Sequence, residues 1–349
     1  MERIRSLDLA RGFTVLFIPA IHTGMLYSHI SVHTSVLGYF LIAIAEGPGG
    51  QLLMLLMGLS FTFRQRHTTS KIGLRSLLLL LTGYLLNILK FIIPYSYGAL
   101  PHGVIQDLQL SNDGSAIWQL FGLGDILHFA AMATVILHLV YRCTHFHIVA
   151  FITAITVVLI SPWVWDTHFE HPLLDYISAL ATGQPPRVFF PLFPWLVYPL
   201  LGLVIGHYFK KDQQRTFTLC GIIAGMLISS GLLLEDYFPA ENPLGFYRTP
   251  ISGTMWHVGI VLLALYGWHL ISSKMKQRLF VRLLTYSSEN ITVIYLIQWV
   301  MICWMLPVFG YQQLGLLLSI LVMVAMTMNT YLLTLTFQLI KKRYGQQHL

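Results

Sequence analysis

The stretch Gly73–Ile93, GLRSLLLLLTGYLLNILKFII, decides the fold. A run of about 20 mainly apolar residues is long enough to cross a bilayer as a helix. The pattern recurs along the chain, for example in Leu314–Phe337, LGLLLSILVMVAMTMNTYLLTLTF. Across all 349 residues, 56% are hydrophobic and 10% charged, against about 25% charged in soluble domains. These features define an all-α, polytopic integral membrane protein. Ten spans are expected, near 9–29, 38–63, 72–93, 119–141, 146–164, 190–209, 216–235, 254–273, 284–305 and 313–340. No composition break or separate soluble segment interrupts them, so 1–349 reads as a single transmembrane domain.

Charge sets the orientation. Eighteen of the 21 basic residues fall on alternate connections: Arg3, Arg5 and Arg11; Arg64, Arg66, Lys71 and Arg75; Arg142; Lys210, Lys211 and Arg215; Lys274, Lys276, Arg278 and Arg282; Lys341, Lys342 and Arg343. The positive-inside rule places that side, and both termini, in the cytoplasm. The net charge of +7 is therefore a topology signal and calls for no nucleic acid. The opposite connections, 94–118, 165–189 and 236–253, are longer and mildly acidic, with Asp166 and Glu241 among their carboxylates. The charged start and first apolar run lack a small-x-small cleavage site, so they read as a retained helix. Cys143, Cys220 and Cys303 are far apart and form no CxxC, which argues against a disulfide framework or zinc knuckle.

Ionisable residues inside a membrane are costly and mark function by default. In Arg5–Gly24, RSLDLARGFTVLFIPAIHTG, Arg11 and His22 lie about 16 Å apart along a helix axis. His22 then falls near mid-bilayer. A helix continuing through His29 and His33 would align all three histidines in one stripe suited to proton transfer. A zinc pair at His29 and His33 has no supporting Cys/His cluster, so no metal is expected. Glu46 precedes GPGGQ, where proline and glycines imply a broken or kinked helix; its carboxylate could orient a histidine or a substrate amine. Asp125 and His128, at i and i+3, share a helix face. Asn290 and Gln298 are placed to bond neighbouring helices. Lys90, near a helix end, reads as a snorkelling lysine.

Taken together, these motifs resemble membrane acyltransferases. Arg11 and His22 have the Arg-x10-His spacing of acyltransferase-3 proteins. The order of segments resembles the heparan-α-glucosaminide N-acetyltransferase catalytic-domain proteins more closely. In that branch an asparagine stands at the His22 position and the catalytic histidine at the His33 position. AEGPGGQLLMLLMGLSFTF, GLGDILHFAA, FPLFPWLVYPLLGLVIG and NITVIYLIQ resemble its later motifs in order. His128 replaces a common arginine, and Gln298 replaces a terminal histidine.

The resemblance implies an enzyme of the bacterial inner membrane. It would move an acetyl or other short acyl group from cytoplasmic acetyl-CoA, or another acyl-CoA, to a hydroxyl or amine of a sugar or envelope glycan on the outer side. His33 or His22 would be the base, Glu46 its orienting group and Asn290 an oxyanion donor. Arg11, Arg5 and Arg3 would meet the CoA phosphates, because guanidinium pairs bidentately with phosphate. The lipid bilayer, acyl-CoA and the glycan are the expected partners, and homo-oligomerisation is left open. A second reading is a proton-coupled transporter with His22, Asp125 and His128 as its relay; a CoA-binding sensor ranks third.

Overall fold

The computed structural model describes residues 4–63, 68–165, 167–237, 246–276 and 278–345. Arg3, Arg64, Arg66, Asp166 and Glu241 lie outside them. Among the described residues, nine helices are long and apolar enough to cross a membrane, and a tenth is apolar but shorter. In chain order they are α1 (Arg5–Tyr27), α2 (Val36–Thr62), α3 (Thr69–Ser96), α4 (Ile126–Tyr141), α5 (Phe146–Val164), α6 (Leu192–Phe209), α7 (Gln213–Leu233), α8 (Ile251–Ser272), α9 (Ile291–Phe309) and α10 (Leu316–Tyr344). Leu74, Leu77, Leu78, Leu81 and Leu85 form an exposed apolar stripe on α3. Such a face is stable against lipid and not against water. The chain is an all-α polytopic integral membrane protein.

One local expectation changes and another takes a definite shape. The fourth span starts at Ile126, not near 119. Gly124 is held in an isolated bridge to Val188, and Asp125 caps the helix by accepting from the Ile126 N–H at 2.6 Å. The resulting 16 residues cover only about 24 Å of a core about 30 Å thick. The disturbance expected at Pro48 takes the form of a π turn, Ala45–Gly49, within α2, and Gly49 leaves helical geometry at φ −13° and ψ −118°. Proline cannot donate to the carbonyl four residues back and crowds it, and a widened turn relieves both problems. A second π turn, Ile88–Ile92, precedes Pro94 in α3; Trp304 Nε1 donates to the Leu89 carbonyl there at 2.8 Å.

The chain divides into two compact units, and the division within α2 and α3 falls at the two π turns. The first unit comprises Met1–Ala45, Ile88–Leu110 and Lys274–Leu349. In it, α1 packs on α9, α10 and the helix Leu279–Glu289. Gly12 allows the last contact: a Cβ there would lie 1.9 Å from the Leu284 carbonyl oxygen. The C-terminal end of α1 is clamped by the α9–α10 connection. Gln312 N–H donates to Leu26 O and Leu314 N–H to Tyr27 O, both at 2.8 Å, while the Tyr27 hydroxyl donates to Ile302 O at 2.6 Å.

The second unit comprises Glu46–Asn87 and Ser111–Ser273. Its helices pack as pairs: α7 on α8, the second half of α2 on α6, and α3 on α4. Gly58 sets the α2–α6 distance, since a Cβ there would stand 1.9 Å from the Pro199 carbonyl oxygen. Close backbone approach through small residues is a recurrent way to pack helices in lipid.

Candidate functional site

The first unit arranges its polar residues along α1. At the basic end, Asp8 pairs with Arg11 at 3.7 Å and accepts from the Ser288 hydroxyl at 3.3 Å. Arg5 donates through Nη2 to the Met275 carbonyl. Its Nε is buried with no hydrogen-bond partner among the described residues. A guanidinium donor left unmatched at a cationic helix end suits an anion such as phosphate. Arg11 is partly exposed and partly neutralised by Asp8. Asn290 stands where the helix Leu279–Glu289 turns into α9. Its Nδ2 donates to Tyr286 O at 2.9 Å, and its Oδ1 accepts from Gln338 Nε2 at 2.6 Å. The first bond caps the preceding helix turn; the second ties the junction to α10.

Further along α1, His22 meets α9. Its Nδ1 lies 3.1 Å from Gln298 Oε1. Gln298 is fully buried, and its Nε2 donates to the Tyr295 carbonyl at 3.2 Å. That second bond fixes the amide orientation, so Oε1 faces the imidazole and Nδ1 carries the hydrogen. In the neutral ring the lone pair is then on Nε2. The imidazole stacks on Trp299, with ring centroids 4.2 Å apart and planes at 27°. Tyr295 packs edge-on to the same imidazole.

Lys90 joins this cluster. Its Nζ lies 4.7 Å from the Trp299 ring centroid and 5.0 Å from that of Phe91. The side chain is buried, 4% exposed, so it does not snorkel. An aromatic face can compensate a cation removed from water. Lys90, Tyr295 and Trp299 are therefore members of the site that the expected residue set lacked. Lys90 was visible as a lone cation in an apolar run; nothing in the sequence paired it with Trp299.

The histidine stripe does not form. α1 ends at Tyr27, Ser28 is extended, and His29 caps a single helical turn, Ile30–His33. His29 is exposed and bonds locally to Ser31. The turn brings His33 back toward α1, where its Nε2 meets the Gly24 carbonyl at 3.1 Å. A carbonyl only accepts, so Nε2 carries the hydrogen and Nδ1 the lone pair. His22 and His33 thus both belong to the first unit.

Glu46, Asp125 and His128 belong to the second unit. Glu46 is exposed as a residue, and its main-chain oxygen accepts from Gln51 Nε2 at 3.2 Å. Asp125 and His128 form a reciprocal cap: His128 Nδ1 accepts from the Asp125 N–H at 3.1 Å. His128 also packs edge-on to Tyr84, whose hydroxyl meets that of Tyr176 at 2.9 Å. Tyr247 had not been expected at a site. Burial holds its phenol above the ordinary range, and the Glu46 and Asp125 carboxylates add to the effect. Among the described residues no group of three His, Cys, Asp or Glu could hold a metal ion.

No curated protein and no solved structure matches the chain. A family model does: that of the heparan-alpha-glucosaminide N-acetyltransferase catalytic domain, over residues 3–234. The match takes in α1 to α7, with Arg11, His22, His33, Glu46, Asp125 and His128. Asn290 and Gln298 lie beyond it. Since the match spans about two thirds of the sequence, the chain belongs to the heparan-alpha-glucosaminide N-acetyltransferase catalytic-domain family of membrane acetyltransferases.

Proposed function

We propose that this protein transfers an acetyl or other short acyl group from acyl-CoA at the cytoplasmic face to a hydroxyl or amine of a sugar or envelope glycan at the outer face. The observation that carries this reading is the orientation of His22. Gln298 accepts from its Nδ1–H, which puts the lone pair of the neutral ring on Nε2, the atom that acts as base. A hydroxyl or ammonium is a weak nucleophile until a base takes its proton. As the acceptor attacks the thioester carbonyl, the histidine gains that proton. The carbon–sulfur bond breaks, and the sulfur departs with CoA.

His33 is the second base of this reading, through its Nδ1. The resemblance gives it the catalytic position, and the Gly24 carbonyl holds its Nε2–H. Arg5 and Arg11 bind the donor phosphates, supported by the unmatched Arg5 Nε and the basic end of α1. Arg3 shares that role by its place in the sequence. Lys90 supplies positive charge beside His22 through Trp299. Positive charge near a thioester favours the oxyanion of the tetrahedral intermediate. Glu46 and Asn290 retain the orienting and oxyanion roles as proposals, and Asp125 and His128 a polar one within their own unit. Both termini face the cytoplasm, in the inner membrane, and 1–349 works as one transmembrane domain.

The test uses full-length protein in nanodiscs with radiolabelled acetyl-CoA and D-glucosamine. Wild type transfers label to the sugar. His22→Ala and His33→Ala lose most of the turnover, and Arg11→Ala raises the KM for acetyl-CoA. Full turnover in both histidine variants would remove them as bases. An unchanged KM would remove Arg11 from the donor site.

A further inference from the structure

A base at His22 needs a hydrogen-bond donor beside it. When an acceptor attacks a thioester, the carbonyl π electrons move onto oxygen, and a preorganised donor there lowers the barrier. Asn290 is remote from this position. It stands eight residues before Gln298, the partner of His22, which is about 12 Å along a helix axis. Its amide is also tied to Tyr286 O and to Gln338. The attacking atom and the carbonyl carbon meet at about 3–3.5 Å, so a donor serving His22 has to stand next to it.

Trp299 is such a neighbour. Its Nε1 is buried and has no hydrogen-bond partner among the described residues. An indole nitrogen only donates, and a buried one ordinarily finds an acceptor. The side chains packed on the ring do not supply that acceptor. The N–H lies in the indole plane, whereas His22 stacks on the indole face, with centroids 4.2 Å apart and planes at 27°. The Lys90 ammonium, 4.7 Å from the ring centroid, has no lone pair. Tyr295 packs on the indole at 79°, and Phe91 lies 5.0 Å from Lys90 Nζ. These rings exclude water, so a hydrogen bond made here counts for more than one made in solvent. The stack thus sets the ring that carries the base against the ring that carries the unmatched donor.

We infer that Trp299 is a catalytic residue whose Nε1–H donates to the carbonyl oxygen of the transferred acyl group, and to the oxyanion formed from it, while His22 Nε2 takes the proton of the acceptor. Its part in a reaction rests on the acyl-transfer reading; the donor itself rests on the unmatched atom. In the step, the acceptor oxygen or nitrogen bonds to the carbonyl carbon and its proton passes to His22. The oxyanion then restores the carbonyl as the carbon–sulfur bond breaks, and the departing thiolate takes the proton from His22. The indole keeps its hydrogen throughout. Lys90, over the same ring, favours the negative oxygen. Trp299 lies beyond the family match.

The test reads the indole N–H directly. Full-length protein in nanodiscs, labelled with nitrogen-15 at its eight tryptophans, is titrated with acetyl-CoA and with CoA. Trp299→Phe keeps a stacking ring and removes the donor, so the signal it lacks is that of Trp299. Acetyl-CoA is expected to move this signal downfield; CoA, without the acyl carbonyl, leaves it in place. In transfer from acetyl-CoA to D-glucosamine, Trp299→Phe loses about 100-fold or more in kcat. Its KM for acetyl-CoA and its thermal midpoint stay near wild type. A shift specific to acetyl-CoA, with no transfer by wild type, would uphold the acyl-carbonyl donor and reject the acyl-transfer reading. Wild-type kcat in Trp299→Phe, or a Trp299 signal that ignores acetyl-CoA, would overturn the inference. Should Trp299→Phe not fold, the wild-type spectrum decides: no indole signal answering to acetyl-CoA and not to CoA overturns it as well.

Discussion

Replacing Gln298 by leucine tests the orientation of His22 directly. In the wild type, the Tyr295 carbonyl holds the Gln298 amide, and the amide oxygen holds His22 Nδ1–H at 3.1 Å. Leucine has nearly the same volume and no acceptor. The Nδ1–H then loses its partner at a partly buried site, worth up to about 1–3 kcal/mol. That energy is also what favours the Nδ1–H tautomer over the other. Its loss lowers the fraction of His22 with a lone pair on Nε2, and turnover falls by up to about 5- to 150-fold. The donor contacts proposed for Arg5 and Arg11 lie at the other end of α1, so the KM for acetyl-CoA is expected to stay unchanged. The assay is label transfer from acetyl-CoA to D-glucosamine by His22→Ala, Gln298→Leu and the double variant. If the two residues act as one unit, the double variant is no slower than His22→Ala alone. Wild-type turnover in Gln298→Leu, or multiplied losses in the double variant, would refute the argument.

Three further outcomes follow from particular contacts. Lys90→Met removes the cation over Trp299, worth about 0.5–2 kcal/mol. Turnover should fall about 2- to 30-fold with no loss of thermal midpoint; unchanged turnover would take Lys90 out of the site. Gly58→Ala places a Cβ 1.9 Å from the Pro199 oxygen, whereas Gly225→Ala meets nothing within 4 Å. Overpacking at the first costs about 1–3 kcal/mol or more, so its thermal midpoint in detergent drops while that of Gly225→Ala does not; equal midpoints would contradict the close packing. Asp175 accepts from Arg187 at 2.7 Å, from the Phe169 N–H at 3.2 Å and meets His168 at 3.2 Å. Arg187 above all holds its carboxyl down at about 2. The folded value lies below the unfolded one of about 3.9, so this contact stabilises the loop above that pH and is lost as pH falls toward 2. Pepsin cleavage of the 165–189 connection should rise on acidification through that window in the wild type, and Asp175→Asn should be cleaved readily at its upper edge; identical profiles would reject the assignment.

Much of the fold was legible because lipid imposes a one-dimensional rule. A chain that buries its backbone polar groups in hydrocarbon must do so within each helix. Length and hydropathy alone then mark the spans, and Gly73–Ile93 sufficed to set the class. Interruptions were legible as positions and not as shapes. Pro48 signalled a disturbance, but a π turn and a break satisfy the same local chemistry. The end of α1 was less legible still. Nothing between His22 and His33 forbids a continuing helix; the α9–α10 connection terminates it by taking the Leu26 and Tyr27 carbonyls.

For the site, the sequence by itself determined which residues were expensive: Arg11, His22, Glu46, Asp125 and Gln298 each had to find a partner inside a membrane protein. It also carried the family, through the order of its motifs. Only the tertiary structure decided the partners. His22 and Gln298 are separated by 276 positions, and Lys90 and Trp299 by more than 200. The cost of burying a polar atom is a property of the residue, readable one position at a time. The direction of its hydrogen bond, and hence which nitrogen of a histidine keeps a lone pair, is set by whichever helix folding brings against it.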